Sequence, residues 1–337
     1  MLLAYEVDYS IIICTYNPDR LVFQRCLNAV QKLKSDDLQV EVILVDNNSS
    51  IELSEQDYIQ AFLKNVPNSR LISVEEQGLS HARRGGILAS KGKQVIFFDD
   101  DNEPETHYLE AISYLNINYP HVAAWGPGTI DVDFISGINP QLLNEAKQAF
   151  QDRHEMQILY SNQRSWQGCY PFGTGLSLRK DYCLEYIDEV DAGHFTLSGR
   201  KENELSSGED TQMIFFVISK GAAAGVAPSL SVTHIVPQKR TNAAYLKRLT
   251  YGTSVCYSTC ILEVFPDELN RINTHLVSPG KFRNKVLKKM FGLLFTRKIR
   301  KSLALIKYIG AVSGDYIALK RPVPAISNWA LKILKAI

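Results

Sequence analysis

The chain has 337 residues, 45% of them apolar, with 37 basic and 36 acidic side chains and a formal net charge of +1. That length and apolar content support a sizeable core, as one large domain with an appendage or as two domains, and argue against a chain dominated by disorder. The near-neutral total hides an asymmetry: from Lys281 onward fourteen Lys or Arg face one acid, Asp315, a net of +13 that leaves −12 on the remainder. Such a split suggests that the tail meets an anionic surface.

Taken in order, Ser10–Cys14 is a near-continuous apolar run that predicts a buried strand, ended by Thr15-Tyr16-Asn17-Pro18. No basic region precedes it, so no signal peptide is expected. A helix follows with Phe23, Leu27 and Val30 on one face, then a strand over Val40–Val45 closed by Asp46-Asn47-Asn48-Ser49-Ser50. A helix over Tyr58–Lys64, a short strand over Arg70–Val74 and a helix from Gly78-Leu79-Ser80 to about Ser90 lead to a strand over Gln94–Phe98. This last strand runs straight into Asp99-Asp100-Asp101-Asn102-Glu103-Pro104.

Three adjacent carboxylates repel one another, and burying one unpaired is costly, so a cation or strong donors should gather there. If the extended geometry persists, residues two apart point the same way, so Asp99 and Asp101 share a face and Asp100 turns away. By itself the triplet also fits a solvated turn. Strands alternating with helices, apolar on both faces, predict a mainly parallel α/β sheet covered on both sides. Ligands of such sheets sit at the carboxyl ends of the strands. Thr15, Tyr16, Asn17, Asp46, Asn47, Asp99 and Asp101 therefore fall on one edge, where a nucleotide would dock.

Further on, Leu109–Ile117 and Pro140–Gln157 predict helices, and Val122–Gly126 predicts a strand. Phe172–Arg179 reads as a strand whose glycines signal close approach by backbone or ligand. A polar loop over Ser198–Ser207 ends at Gly208-Glu209-Asp210, before an apolar helix over Gln212–Ser219 and a strand over Ser229–His234. Ser207-Gly208-Glu209-Asp210 also fits a helix-capping pattern. The six cysteines form no CxxC pair and read as reduced packing residues of a cytosolic protein. No apolar run reaches about 18 residues, so no transmembrane helix is expected.

Ile12-Ile13-Cys14-Thr15-Tyr16-Asn17, Val45-Asp46-Asn47-Asn48-Ser49, Gly78-Leu79-Ser80-His81-Ala82-Arg83, Phe97-Phe98-Asp99-Asp100-Asp101, Gly208-Glu209-Asp210 and His234 occur in that order. Together they resemble the inverting family 2 glycosyltransferases of GT-A fold, over roughly residues 9 to 250. The stretch from Leu197-Ser198-Gly199-Arg200 through His234-Ile235-Val236-Pro237 and Arg240 looks like bacterial members that build surface polysaccharide. Arg84 departs from the pattern, standing where relatives usually carry asparagine.

The resemblance implies a nucleotide-sugar donor, a UDP-sugar first, and a glycan or lipid-linked acceptor. It assigns Mn²⁺ or Mg²⁺ to Asp101, with His234 as an extra ligand, because hard cations take oxygen ligands and neutralise a diphosphate leaving group. Thr15, Tyr16 and Asn17 would line the base pocket, and Asp46 would bond the base or ribose. Asp99 would lie nearer the ribose, while Asp100 and Arg83 would border the nucleotide. Gly173, Thr174, Gly175 and Glu209 would form the donor-sugar or acceptor site, and Asp210 would be the general base.

The expected organisation is a GT-A domain over 1–250 and a helical, basic region over 251–337. In that region Phe282, Val286, Met290, Leu293 and Leu294 recur at helical spacing among Lys and Arg, widened by Phe291, Phe295, Ile299, Leu303, Ile306 and Ile309. Residues 281–312 read either as an amphipathic helix on an anionic membrane surface or as one packed on the catalytic domain with a solvated charged side. No nucleic-acid motif accompanies the charge. The expected location is the cytoplasm, with peripheral attachment to the inner face of the membrane. Two rivals share the fold: a sugar-nucleotide nucleotidyltransferase, and a non-catalytic membrane-bound module. The first would carry a glycine-rich basic loop where Thr15-Tyr16-Asn17-Pro18-Asp19-Arg20 stands; the second does not need Asp46, Asp99, Asp101 and Asp210 intact.

Overall fold

The computed structural model describes residues 7–196, 208–296 and 298–337. From the N-terminus the elements run β1 (Val7–Thr15), α1 (Arg20–Gln31), β2 (Val40–Asp46), α2 (Asp57–Asn65), β3 (Ser69–Ser73), α3 (Leu79–Ala89) and β4 (Gly92–Asp99). Next come β5 (Asn102–Pro104), α4 (Tyr108–Asn118), β6 (Val122–Phe134), α5 (Leu143–Ala149), β7 (Arg153–His154), β8 (Leu159–Ser161) and β9 (Leu176–Arg179). They are followed by α6 (Lys180–Asp191), α7 (Glu209–Ser219) and β10 (Ala223–Val236). Six helices close the chain: α8 (Ala243–Val255), α9 (Tyr257–Val264), α10 (Leu269–His275), α11 (Pro279–Leu294), α12 (Ile299–Ala318) and α13 (Ile326–Leu334).

The strands form one mixed sheet in the order β3-β2-β1-β4-β9-β6-β10-β5, with β7 on β6 and β8 on β10. The expected parallel order holds for β3, β2, β1 and β4. From β9 outward, antiparallel pairing enters, at β4–β9, β9–β6 and β10–β5. Register puts Thr15 opposite Asp46 and Cys14 opposite Asp99, so three strand ends finish level. The reason is the residue choice: Ile11, Ile12 and Ile13 of β1 are all buried, and a strand apolar on both faces is stable only in the middle of a covered sheet. One face packs Phe23, Cys26, Leu27, Tyr58, Phe98 and Tyr108 into a continuous core.

The chain divides into two compact units. The first holds residues 7–133, 151–196 and 213–235; the second holds 134–150, 208–212 and 236–337. The second starts upstream of the expected boundary at 250 because α8 packs along α12. Its core joins Phe282, Val286, Leu305, Ile306, Ile309, Val312, Tyr316 and Leu331.

Several expectations are corrected. Pro140–Gln157 is not one helix: only Leu143–Ala149 is helical, and Arg153–His154 pairs with β6 as a strand. The Phe172–Arg179 strand is confined to Leu176–Arg179, since Gly175 (φ +65°) turns the chain just before it. The final strand is longer than expected, from Ala223, and α7 begins at Glu209 rather than Gln212. The Ser198–Ser207 loop, its Leu197–Arg200 motif and the capping role of Ser207 lie outside the described residues.

Candidate active site

The level ends of β1, β2 and β4 form the rim. After β1, Tyr16 leaves its aromatic ring exposed and Asn17 adopts a left-handed backbone (φ +48°), which asparagine tolerates. After β2, Asn48 does the same (φ +65°). The two turns are laced together: the Asn17 amide donates to Ser49 Oγ (2.9 Å) and the Ser50 amide to Asn17 Oδ1 (2.8 Å). The Asn47 amide also donates to the Thr15 carbonyl (2.9 Å).

Asp46 is buried, and its carboxylate is held in place by the amides of Ser49 (3.0 Å) and Leu53 (3.3 Å). These two bonds fix the carboxylate at the strand end. Asn47 donates to the carbonyls of Val74 (3.2 Å) and Glu76 (2.7 Å) and accepts from the amide of Gly78 (2.8 Å). Gly78 has φ +141°, a conformation open to glycine, which lets α3 start beside the rim.

The three aspartates do not keep a strand alternation. β4 ends at Asp99, and Asp100 and Asp101 form a turn into β5, so the shared face expected for Asp99 and Asp101 is lost. Each carboxylate instead meets its own partner. Asp99 Oδ1 lies 3.5 Å from Arg83 Nη2, Asp100 Oδ2 accepts from Thr15 Oγ1 (2.5 Å), and Asp101 Oδ1 accepts from Asn102 Nδ2 (3.0 Å). Asn102 closes the turn by accepting the Asp99 amide through Oδ1 (3.0 Å). Arg83 is buried, with its guanidinium 5.1 Å from the centre of the Phe97 ring. The like charges that would repel in a flat strand are thus separated, each with a donor of its own.

Asp101 and His234 come together. Asn102 of β5 pairs with His234 of β10, and the Ile235 amide donates to the Asp101 carbonyl (2.8 Å). This register sets His234 Nε2 3.6 Å from Asp101 Oδ2, with both residues buried. Ligands of one ion at about 2.1 Å lie about 3 Å apart when adjacent and about 4.2 Å apart when opposite. The observed spacing falls between these; the carboxylate suits either Mn²⁺ or Mg²⁺ when phosphate oxygens complete the shell, and the imidazole favours the transition-metal ion Mn²⁺ of the two. Among the described residues, no three His, Cys, Asp or Glu gather as a metal cluster.

Gly173, Thr174 and Gly175 precede β9 in the same unit. Thr174 is buried, and the Gly175 carbonyl accepts from the Tyr108 hydroxyl. A Cβ at Gly175 would lie 2.8 Å from Pro127 Cγ and 2.9 Å from the Tyr108 hydroxyl, so the close approach expected of these glycines is, at Gly175, made by protein. Arg84 does not face the rim: it makes a two-pronged pair with Asp191 of α6 (2.9 and 2.5 Å). The departure at this position thus ties α3 to α6.

Glu209 and Asp210 lie in the second unit, in the first turn of α7. Glu209 is buried, while Asp210 is half-buried and accepts the Thr211 amide through Oδ1 (2.8 Å). The Gly208 carbonyl accepts from the Gln212 amide (2.7 Å), and Gln212 Nε2 donates to Glu263 Oε2 (2.6 Å), which anchors this turn.

One residue that holds the rim was not among the predicted edge residues: Asn102, fully buried between Asp99 and Asp101. Asn47, placed on that edge by the sequence, also clamps the start of α3. Asn102 had a signal in its position directly after the triplet. Its pairing with His234, 132 residues away, could not be read from the local pattern.

Comparison with known proteins bears on this rim. Residues 10–164 match the family model described as glycosyl transferase family 2. The chain is 35% identical over 102 residues to "Glycosyltransferase AglE" of Haloferax volcanii, covering 30% of this chain and 33% of that protein. It is 28% identical over 101 residues to "Putative glycosyltransferase EpsH" of Bacillus subtilis, covering 30% and 28%. It is 26% identical over 113 residues to "Cholesterol galactosyltransferase" of Borreliella burgdorferi, covering 33% and 29%. The similarity spans about a third of the length of these relatives. Residues 10–164, the stretch that contributes Thr15, Asp46 and the three aspartates to the rim, are thus similar to glycosyltransferase family 2, and here they are built on a mixed α/β sheet.

Proposed function

We propose that the protein is a divalent-metal-dependent, inverting glycosyltransferase that moves a sugar from a nucleotide donor, a UDP-sugar first, to a hydroxyl of a glycan or lipid-linked acceptor. The observation that carries this reading is the Asp101–His234 pair, buried beside three level strand ends that carry Asp46 and Asp99. One family relative is named as a cholesterol galactosyltransferase, which supports a lipid-borne acceptor. Another is named as EpsH of Bacillus subtilis, a bacterial context compatible with surface polysaccharide assembly.

In this reading Tyr16 stacks on the base, Asn17 shapes the turn around it, and Asp46 bonds the base or ribose. Asp99, held by Arg83, bonds the ribose, while the Thr15–Asp100 bond fixes the turn between them. Asp101 and His234 would hold Mn²⁺ or Mg²⁺, which when bound neutralises charge on the diphosphate leaving group. Gly173, Thr174, Gly175 and Glu209 border the sugar and acceptor. The acceptor oxygen attacks the anomeric carbon as the glycosidic bond to the diphosphate breaks on the opposite face. Asp210 takes the hydroxyl proton, so the linkage inverts in one displacement. The first turn of α7 suits this role because the helix dipole favours negative charge there.

A location at the cytoplasmic surface of a membrane fits the same chemistry. It is supported by six free thiols, five of them buried, and by the basic C-terminal helices. No described helix is long and apolar enough to cross a membrane. The test is release of nucleotide from a panel of sugar nucleotides, with and without Mn²⁺ or Mg²⁺. The reading expects turnover of at least one donor that stops on chelation and returns with the metal. Turnover of a sugar phosphate with a nucleoside triphosphate instead would establish a nucleotidyltransferase.

A further inference from the structure

The helices of the second unit divide their apolar residues between two fates. Phe282 and Val286 of α11 and Ile306 and Ile309 of α12 are buried in that unit's own core, with Met290 and Leu293 half-buried against it. At the C-terminal end of α11 the burial stops. Phe291, Leu294 and Phe295 are 63%, 77% and 76% exposed, and the rings of Phe291 and Phe295 touch edge to face at 5.1 Å. Lys288 and Lys289 precede this tip and Lys298 and Lys301 follow it, all exposed. No acid occurs between Lys281 and Gly314.

We infer that the tip joining α11 to α12 is a membrane anchor: Phe291, Leu294 and Phe295 enter the bilayer interface while the flanking lysines contact anionic lipid headgroups. Charge selects this occupant. A second copy of the chain would bring one lysine cluster against another, and a soluble polyanion would leave three large apolar side chains in water. A bilayer with anionic lipid satisfies both parts, because apolar burial and headgroup attraction add. The inference deepens the membrane-surface location proposed above and narrows it from the whole 281–312 stretch to one tip, since most of the remaining apolar face is already covered by protein. It is independent of the catalytic reading.

The test is co-sedimentation of the full chain with phosphatidylcholine vesicles, with and without phosphatidylglycerol, alongside the variant Phe291→Ser/Phe295→Ser. Both rings are solvent-exposed, so the variant should keep its melting temperature, and light scattering reports its oligomeric state. The wild type is expected to bind the anionic vesicles and only weakly the neutral ones. The variant should lose about tenfold or more in partitioning, the ratio for withdrawing large apolar side chains from the interface. Equal partitioning of wild type and variant, or no wild-type binding to anionic vesicles, would overturn the inference. So would a wild-type dimer that the variant dissolves, which would make the tip a contact between copies. Sugar-nucleotide hydrolysis on the same samples is expected to be unchanged; its absence from both proteins would count against the catalytic reading and leave the anchor standing.

Discussion

The rim of the first unit and the basic helices of the second use charge in opposite ways. At the rim every carboxylate has an individual partner: Asp46 two amides, Asp99 the Arg83 guanidinium, Asp100 the Thr15 hydroxyl, and Asp101 the Asn102 amide and His234. In α11 and α12 the lysines act together, exposed and without an acid nearby in sequence. The lesson is that a single substitution should be severe in the first region and graded in the second. Buried, partnered charges cannot be exchanged for solvent, whereas exposed ones sum into a field.

The largest effect is expected at the rim. Asp101→Ala should lower transfer by about 10³-fold or more, the scale of losing metal-assisted charge neutralisation, measured as kcat/KM with the best donor. Asp210→Asn comes next, with a fall of about 10²–10³ in kcat typical of a lost general base, and with nucleotide affinity unchanged. If that variant kept full transfer activity, the base would have to be sought elsewhere.

A partnered charge away from the rim gives a third, smaller effect. Burial opposes ionisation of Glu41, but the Ser10 hydroxyl, the Lys91 amide and the Arg70 guanidinium outweigh it and hold its carboxyl below the usual range. A lowered carboxyl contributes stability above its unfolded value, and that contribution fades as pH falls through the folded value. Arg70→Ala should therefore cost about 2 kcal/mol at neutral pH and less in acid, read from denaturant unfolding at both pH values. The smallest effect belongs to the tail: Lys288→Ala should weaken binding to anionic vesicles about fivefold and leave stability unchanged. A collapse of binding from that one lysine would contradict a collective field.

What the sequence made legible follows the same division. Thr15, Asp46 and Asp99 could be assigned to one edge because apolar runs identify central strands, and the ends of parallel strands fall together. For Asp100–Asp101 the sequence allowed either a turn or a continued strand, and the choice was not legible, because β5 is only Asn102–Pro104 and exists through pairing with β10. The Pro140–Gln157 helix failed for a related reason: its second half is drawn into a strand by β6. In the tail, helical periodicity was clear but its meaning was not. Phe282 and Phe291 follow the same pattern, and only the packing of α12 and α13 decides that one is buried and the other exposed.

The most direct test of the rim is calorimetric binding of UDP with and without Mn²⁺, to the wild type and to Asp101→Ala. The expected result is Mn²⁺-enhanced binding by the wild type and weak, Mn²⁺-insensitive binding by the variant. Equal, Mn²⁺-enhanced binding by both would contradict a metal held through Asp101.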